Sequence, residues 1–372
     1  MKELFKKITV GVFCLIIVSL MAAHILLPDR DISTSERRHL ASLPSFSANS
    51  LMSGTYMQNM EKYLSDQFPL RETFRSVGSI SELSFGRLDV NDIYSHNGYL
   101  ATLDYEYDEN AVKKSADKLN YAAETFGGKY YTSLIPAKDY YINDGVHPVL
   151  DYDALRESFN NSSDGVSIDI SSKLSLGDYY KSDSHWRQEK ITAIARYIVE
   201  EMGYAAPEIS YTENRLNGFK GVYAGQSAVW QKSEDIVYLT WEGYDKIKVK
   251  AIGGECDALY TVEKAKTSVD MYDVFLGGAV PLIFIENENA VNDATLFVFR
   301  DSYGSSMTPL LSAYFKNIIV IDFRYVTLDN AVKLCSEYSP DATLAMLSCG
   351  VVKNGEMLKI TEIGRASCRE RV

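Results

Sequence analysis

The chain has 372 residues and a formal net charge of −12, with 46% hydrophobic and 24% charged residues. This length can bury a large core, while the acidic balance argues against binding to nucleic acid, whose phosphates require surfaces rich in Lys and Arg. Five cysteines occur without CxxC spacing, and the histidines show no metal-ligand spacing. The sequence therefore indicates no disulfide framework, no metal and no cofactor, and we expect Cys256, Cys335 and Cys349 to be buried.

The first element in the chain is an apolar segment. Lysines within residues 2–7 precede an apolar run over residues 8–27, about the length needed to cross a bilayer. Basic residues on that side predict a cytoplasmic tip with the rest of the chain outside. A cleaved signal peptide is the alternative, because Ala22-Ala23 resembles a small-residue cleavage site. We expect residues 1–28 to form an uncleaved anchor, since the run is long for a signal.

Residues 29–84 are predicted to form a juxtamembrane stalk. The first part is polar, and the spacing of Met57, Met60 and Leu64 predicts one helix. Pro69 should end that helix nearby, because proline removes a backbone donor and clashes with the preceding turn.

Residues 85–362 alternate between strand and helix patterns. Asn97-Gly98 predicts a hairpin turn, and residues 110–126 and 187–204 have the apolar spacing of amphipathic helices. Residues 129–137 predict a strand that enters a loop at Pro136, and the alternating residues 245–253 predict another. Three short apolar runs, at residues 294–299, 317–323 and 342–347, predict buried parallel strands. The pattern predicts an α/β domain with a mostly parallel sheet flanked by helices.

The last ten residues, 363–372, resemble a translated sequencing adapter. They turn basic in an acidic protein and follow a strand and turn abruptly. We therefore expect this tail to be non-native and exclude it from the predicted fold.

Ser302 follows one of the predicted buried strands. The segment from Arg300 to Gly304 is short, and a helix is expected to begin around residues 305–308. Ser302 would then lie at the carboxyl edge of the sheet, where ligands bind in open α/β folds. Free backbone N–H groups at a helix start can stabilise an oxyanion, so Ser302 is a candidate nucleophile. The alternative is that Asp301 and Ser302 are ordinary helix caps.

Asp183 and His185 form a second candidate pair. In an extended segment these two side chains point to one side, so the carboxylate can orient the imidazole as a general base. The alternative is again a helix cap, with His185 at the surface. With Ser302, the pair has the composition of a site for nucleophilic acyl transfer. No G-x-S-x-G motif is present, so the α/β-hydrolase elbow is not supported.

Asp183-Ser184-His185-Trp186 resembles the signature of the DHHW proteins, with Ser184 in the position of the family's first histidine. Other segments follow in the family's order: YLSDQFPLRE, LIPAKDYY, YDVFLGG, FRDSYGSSMTPLL and IDFRYV. The similarity spans roughly residues 29–345. DHHW proteins in turn resemble the SGNH-hydrolase-like alginate O-acetylation proteins, in which Ser302, His185 and Asp183 would match the catalytic serine, histidine and aspartate.

The resemblance implies an SGNH-hydrolase-like, flavodoxin-like fold and an extracytoplasmic polysaccharide O-acetyltransferase activity. It also implies a membrane-bound O-acyltransferase partner, because no acetyl-CoA is present outside the cell. An acetylesterase with the same triad and a non-catalytic glycan-binding or scaffold protein remain alternatives. The candidate substrate-binding residues are Trp186, Tyr180, Arg300 and Tyr303, and the candidates for a glycan groove also include Tyr179, Tyr223 and Trp230.

Two features depart from related proteins. The Asp/His pair precedes the serine, as in the alginate relatives, whereas ordinary SGNH esterases have the reverse order. Arg300 stands where many relatives carry glycine, so it is predicted to reshape the oxyanion hole or to bind substrate charge. The oxyanion donors themselves are assigned only as guesses, to Gly277 or Gly278 and more weakly to Asn287 or Asn289.

Overall fold

A computed structural model describes residues 2–361, so the predicted adapter tail at 363–372 lies outside the described residues. The chain divides into two compact units. One contains the residues up to Asn91 together with Ala224–Gln231, and the other contains the rest.

The helices are α1 Lys2–Leu26, α2 Ala48–Met52, α3 Thr55–Asp66, α4 Arg71–Ser84, α5 Glu109–Phe126, α6 Tyr152–Ser162, α7 Thr192–Glu201, α8 Val222–Ser227, α9 Val262–Thr267, α10 Tyr303–Leu311, α11 Leu328–Leu334 and α12 Cys349–Val352. The strands are β1 Ile32–Ser33, β2 Arg38–His39, β3 Asp89–Val90, β4 Ile93–His96, β5 Tyr99–Thr102, β6 Lys129–Ile135, β7 Val166–Ser167, β8 Thr212–Phe219, β9 Glu234–Thr240, β10 Lys248–Ile252, β11 Leu282–Glu286, β12 Asn292–Arg300, β13 Phe315–Ile321 and β14 Ala342–Ser348.

In the first unit, α1 is the predicted apolar helix. It is long and apolar enough to cross a membrane, and none of its side chains is buried. The predicted helix around Met57 is confirmed as α3, which ends before Pro69. At the end of α3, the buried carboxylate of Asp66 receives two hydrogen bonds from Arg38, at 2.6 and 2.9 Å, and one from the Ala41 amide. The Arg38 hydrogen bond is the main cause that lowers the pKa of Asp66 to about 2.

The second unit is built on a seven-stranded sheet in the order β10-β11-β13-β12-β14-β6-β7. The five strands from β13 to β7 are parallel, and β11 and β10 add an antiparallel edge. The prediction of a mostly parallel sheet is therefore confirmed. The predicted turn at Asn97-Gly98 is also confirmed, since β4 pairs antiparallel with β5 and both turn residues have positive φ.

The order of the parallel strands explains the reversed order of the site residues. If counting starts at β12 and passes from β14 to β6, the strands read 2-1-3-4-5, the flavodoxin-like order. The chain therefore forms positions 4 and 5 of such a sheet first, with β6 and β7, and forms positions 1 to 3 later, with β12, β13 and β14. The strand that leads to Ser302, β12, takes the position of strand 1 in that order, inside the sheet, although it comes late in the sequence.

Helices cover both faces of this sheet. One buried layer includes Ile198 of α7 and Leu310 of α10, and the other includes Leu119 of α5 and Phe159 of α6. The strands between them are nearly continuous apolar runs, as expected for strands that are buried on both faces. The three cysteines that were predicted to be buried, Cys256, Cys335 and Cys349, all lie inside this unit.

Candidate active site

Ser302 lies between β12 and α10 at the carboxyl edge of the parallel sheet. The helix was expected to begin around residues 305–308, but it begins at Tyr303. The reason is Asp301, whose Oδ1 accepts the Tyr303 N–H at 3.0 Å and thereby caps the helix two residues after the strand ends. Its other oxygen accepts the Ser348 N–H at 2.8 Å, at the end of β14. Asp301 therefore fixes the turn, and the Ser302 hydroxyl makes no capping hydrogen bond.

Asp183 and His185 form a buried pair. Asp183 Oδ1 lies 2.6 Å from His185 Nδ1 and also accepts the His185 backbone N–H at 3.1 Å. The second carboxylate oxygen accepts the Val222 N–H at 2.9 Å. Because a carboxylate only accepts, this geometry assigns the proton to Nδ1 and leaves Nε2 as an acceptor. Among residues 2–361, Nε2 has no hydrogen-bond partner.

Aromatic rings fix the plane of the imidazole. His185 stacks on Tyr272, with ring centroids 4.0 Å apart and planes 13° apart, and lies 5.1 Å from the ring of Tyr303. The Tyr303 hydroxyl donates to the Ser184 carbonyl at 2.8 Å. Since Tyr303 directly follows Ser302, the loop that carries the histidine contacts the turn that carries the serine.

The four predicted substrate-binding residues are all buried. Trp186 Nε1 donates to the Tyr303 carbonyl at 3.1 Å and to Ser306 Oγ at 2.9 Å, so this indole joins the Asp183–His185 loop to α10. Tyr180 packs edge-on against Phe219. These positions give the side chains packing roles, and substrate binding by them stays a prediction.

Arg300 is buried, and its guanidinium makes hydrogen bonds within the protein. Its guanidinium donates to Ser305 Oγ at 2.7 Å and to the Gly278 carbonyl at 3.2 Å, and it lies 3.9 Å from the Asp322 carboxylate. Burial lowers the pKa of the Arg300 guanidinium. The arginine thus connects the start of α10 to the turn at Gly278 and to Asp322, which follows β13. Its contact with substrate charge stays a prediction.

A comparison with family models matches residues 170–321 to the family described as DHHW protein. The matched segment contains Asp183, His185 and Ser302. The resemblance to the DHHW proteins is confirmed. We call residues 170–321 the DHHW segment.

Two solved structures share the fold of the chain, and a third gives a weaker match. PatB1 from Bacillus cereus is 19% identical, covers 72% of this chain and 99% of its own, and has a TM-score of 0.58; it has also been solved with a sulfonyl adduct. A DHHW family protein from Eubacterium siraeum is 18% identical, with coverages of 73% and 95% and a TM-score of 0.59. The O-acetyltransferase domain of Pseudomonas putida AlgJ gives 9% identity, coverages of 72% and 93%, and a TM-score of 0.43. A comparison with curated proteins returns no match.

Two charged residues that were not predicted from the sequence bind the backbone of residues 180–182, just before Asp183. Lys138 precedes the segment and is buried, and its Nζ donates to the carbonyls of Tyr180 and Lys181 at 2.7 and 3.2 Å. Burial lowers the pKa of Lys138 to about 7. Glu234 accepts the N–H groups of Lys181 and Ser182 at 2.9 and 3.0 Å. The one available signal for Lys138 was its position just after β6, at the same edge of the sheet as Ser302.

The hydrogen bonds around Ser302 and Asn287 limit the choice of donors to an oxyanion. The N–H of Tyr303 is engaged by Asp301, whereas no hydrogen bond within residues 2–361 uses the N–H of Ser302. Asn287 donates to the carbonyl of Ser312, which ends α10, so it lies at the opposite end of that helix from Ser302. Asn287 is therefore not placed to donate to an oxyanion at Ser302, whereas donation by Asn289, Gly277 or Gly278 stays a prediction.

Proposed function

We propose that the chain is an extracytoplasmic O-acetyltransferase-like enzyme that passes an acetyl group through Ser302 to a carbohydrate hydroxyl. The observation that supports it is the buried Asp183–His185 pair, which has an unpartnered Nε2 among the described residues and a ring beside Tyr303, the neighbour of Ser302. A buried imidazole with one nitrogen fixed by a carboxylate and the other free has the form of a general base.

In the proposed reaction, Ser302 Oγ attacks the acetyl carbonyl while His185 Nε2 takes the hydroxyl proton. The bond between the acetyl carbon and the donor oxygen breaks, and that oxygen leaves with the proton from His185. A carbohydrate hydroxyl then attacks the Ser302 ester, giving its proton to His185, and Ser302 recovers a proton as it leaves. Asp183 keeps the histidine tautomer and stabilises the imidazolium in both half-reactions.

The unused N–H of Ser302 is the proposed first donor to the oxyanion. It lies at the N-terminus of α10, where the helix dipole adds positive potential. Asp301 acts in this proposal as the residue that fixes the turn, because both its oxygens already accept backbone N–H groups.

The cellular location, the acetyl donor and the acceptor are also proposals. The apolar α1 would hold a single-pass protein at the cell membrane with the catalytic unit outside. Acetyl would come from a membrane-bound O-acyltransferase partner, and the acceptor would be a cell-surface or exported polysaccharide. With a net charge of −12, a neutral glycan fits the chain better than a polyanion.

The experiment measures acetyl-ester turnover by the full chain in detergent, using 4-nitrophenyl acetate with and without oligosaccharide acceptors. Ser302→Ala should reduce turnover by about a thousandfold or more and abolish labelling by a sulfonyl fluoride, a reagent chosen because PatB1 has been solved with a sulfonyl adduct. Ser175→Ala, which changes an exposed helix-capping serine elsewhere in the unit, is the matched control.

The results separate the alternatives. Acetylated oligosaccharide as a product supports the transferase, whereas hydrolysis that acceptors do not divert indicates an acetylesterase with the same residues. Equal turnover by Ser302→Ala and the parent would contradict the nucleophile. Glycan binding without turnover or labelling would indicate the non-catalytic scaffold.

A further inference from the structure

Helix α4 carries an exposed apolar face. Its members within the helix, Phe74, Val77 and Ile80, are spaced three residues apart, which keeps them on one side of the helix. The set, called here the α4 apolar face, continues past both helix ends and comprises Leu70, Phe74, Val77, Ile80, Phe85 and Leu88. The exposed fractions are high, at 56% for Val77 and 90% for Phe85.

The charged side of the same helix faces inward. Arg71 and Arg75 are only 10% and 17% exposed. Arg71 pairs with Glu36 at 2.6 Å, Arg75 donates to the Gly225 carbonyl at 2.9 Å, and Ser79 donates to the Ser227 carbonyl at 2.7 Å. Helix α4 is thus inverted relative to a helix at a water-exposed surface, which turns its apolar side to the core.

Exposed apolar side chains are concentrated in this part of the chain. Fifteen large exposed hydrophobic residues fall within residues 32–88, against ten in all of residues 92–361 outside Ala224–Gln231. Such a density marks an interaction surface, since scattered single residues are the normal case.

From this geometry we infer that the α4 apolar face lies in the interface of a lipid bilayer. Helix α1, the candidate membrane span, belongs to the same compact unit, and His24 near its end lies 5.9 Å from the ring of Tyr63 on α3. A unit attached at the end of a membrane helix meets the bilayer surface first. An amphipathic helix that lies in that surface buries only its apolar side.

Charge and composition favour lipid over a protein partner. Residues 29–91 hold eight acidic and seven basic side chains, so this unit is nearly neutral in a chain of net charge −12 and is not repelled by anionic lipids. The α4 apolar face contains only Leu, Phe, Val and Ile. The face lacks the Trp, Tyr and Arg that dominate the hot spots of protein interfaces, where Leu and Val are under-represented, whereas Leu and Phe are residues that amphipathic helices bury in lipid.

The test places an environment-sensitive NBD label on the full chain. Cys14→Ala and Cys368→Ser remove thiols that could compete, and the other three cysteines are buried. The label is attached at Val77→Cys on the apolar face or, as a matched control on the same helix, at Glu82→Cys, whose native side chain is 46% exposed. Each protein is reconstituted into phosphatidylcholine–phosphatidylglycerol vesicles with or without nitroxide-labelled lipid.

We expect nitroxide lipid to quench the label at position 77 at least about twofold more than the label at 82, with blue-shifted emission at 77. Equal quenching at the two positions overturns the inference. A blue-shifted label at 77 that nitroxide lipid does not quench also overturns it, because a second copy or another protein then covers the face. Ile80→Cys repeats the measurement on the same face, so that one poorly folded variant does not decide the outcome.

Discussion

Replacing Lys138 by methionine should make stability less dependent on pH. Methionine has nearly the same length as lysine but carries no titratable group. The Lys138 ammonium is buried among backbone carbonyls, and burial lowers its pKa from 10.5 to about 7. Attraction to the carboxylates of Asp183, Glu234 and Asp139 offsets part of the desolvation, and the remaining shift corresponds to a net penalty of about 5 kcal/mol on the charged form.

The sign follows from proton binding in the two states. Below about pH 7 both states hold the proton, so the folded state carries the full desolvation penalty. Between about pH 7 and pH 10.5 the unfolded state binds a proton that the folded state lacks, and stability rises with pH. From about pH 6 to about pH 9.5, the parent should gain about 3 kcal/mol of unfolding free energy relative to Lys138→Met.

The measurement is urea-induced unfolding of the full chain in detergent at both pH values, for the parent and for the variant. The parent–variant comparison cancels the titration of all other groups. Lys248→Met, at a side chain that is 70% exposed, is the control and should give the same difference at both pH values. A pH-independent difference for Lys138→Met would refute the reasoning, because Lys138 would then titrate alike in both states.

Four further substitutions, at three positions, test the site and its surroundings. Asp183→Asn should lower kcat by about 10³- to 10⁴-fold, because an amide cannot hold the required histidine tautomer; circular dichroism checks that the fold persists. Tyr272→Phe keeps the ring under His185 and should retain kcat/KM within severalfold, whereas Tyr272→Leu removes the stacking and should lose about tenfold. Gly278→Ala should destabilise the protein by about 2 kcal/mol in thermal unfolding, because φ is +81° and the new Cβ would meet the Asp273 carboxylate. A variant as stable as the parent would mean that this turn relaxes.

The sequence predicted those elements whose apolar residues face the core. Helix α5 was expected at residues 110–126 and spans Glu109–Phe126, because its periodic apolar positions are buried there. Helix α4 was not predicted, because Gly78 and four serines within Arg71–Ser84 lower its intrinsic helix propensity. The sequence also could not show that its apolar side faces outward. Strand β8 was also missed, because it is largely exposed and its polar residues do not alternate with apolar ones.

The spacing of residues along the sequence predicted a contact between close neighbours in the chain, but it could not predict contacts between segments that are far apart in the sequence. The interaction of Asp183 with His185 could be foreseen because the residues are two apart. The support from Lys138 could not, because it depends on carbonyls about forty residues later, and a buried lysine leaves no periodic signal. The buried position of Arg300 was hidden for the same reason, since a charged residue is expected at the surface until its partners are known.

The place of β14 in the sheet has a consequence for how the protein is made. It is the last strand among residues 2–361, yet it lies between β12 and β6, and β6 emerges about two hundred residues earlier. Until β14 arrives, β6 lacks its main neighbour and the sheet remains in two parts. Pairing over such a distance is slow to form, and open strand edges invite aggregation while the chain waits. We therefore expect the nascent chain to depend on chaperones until β14 has been synthesised and has paired with β6.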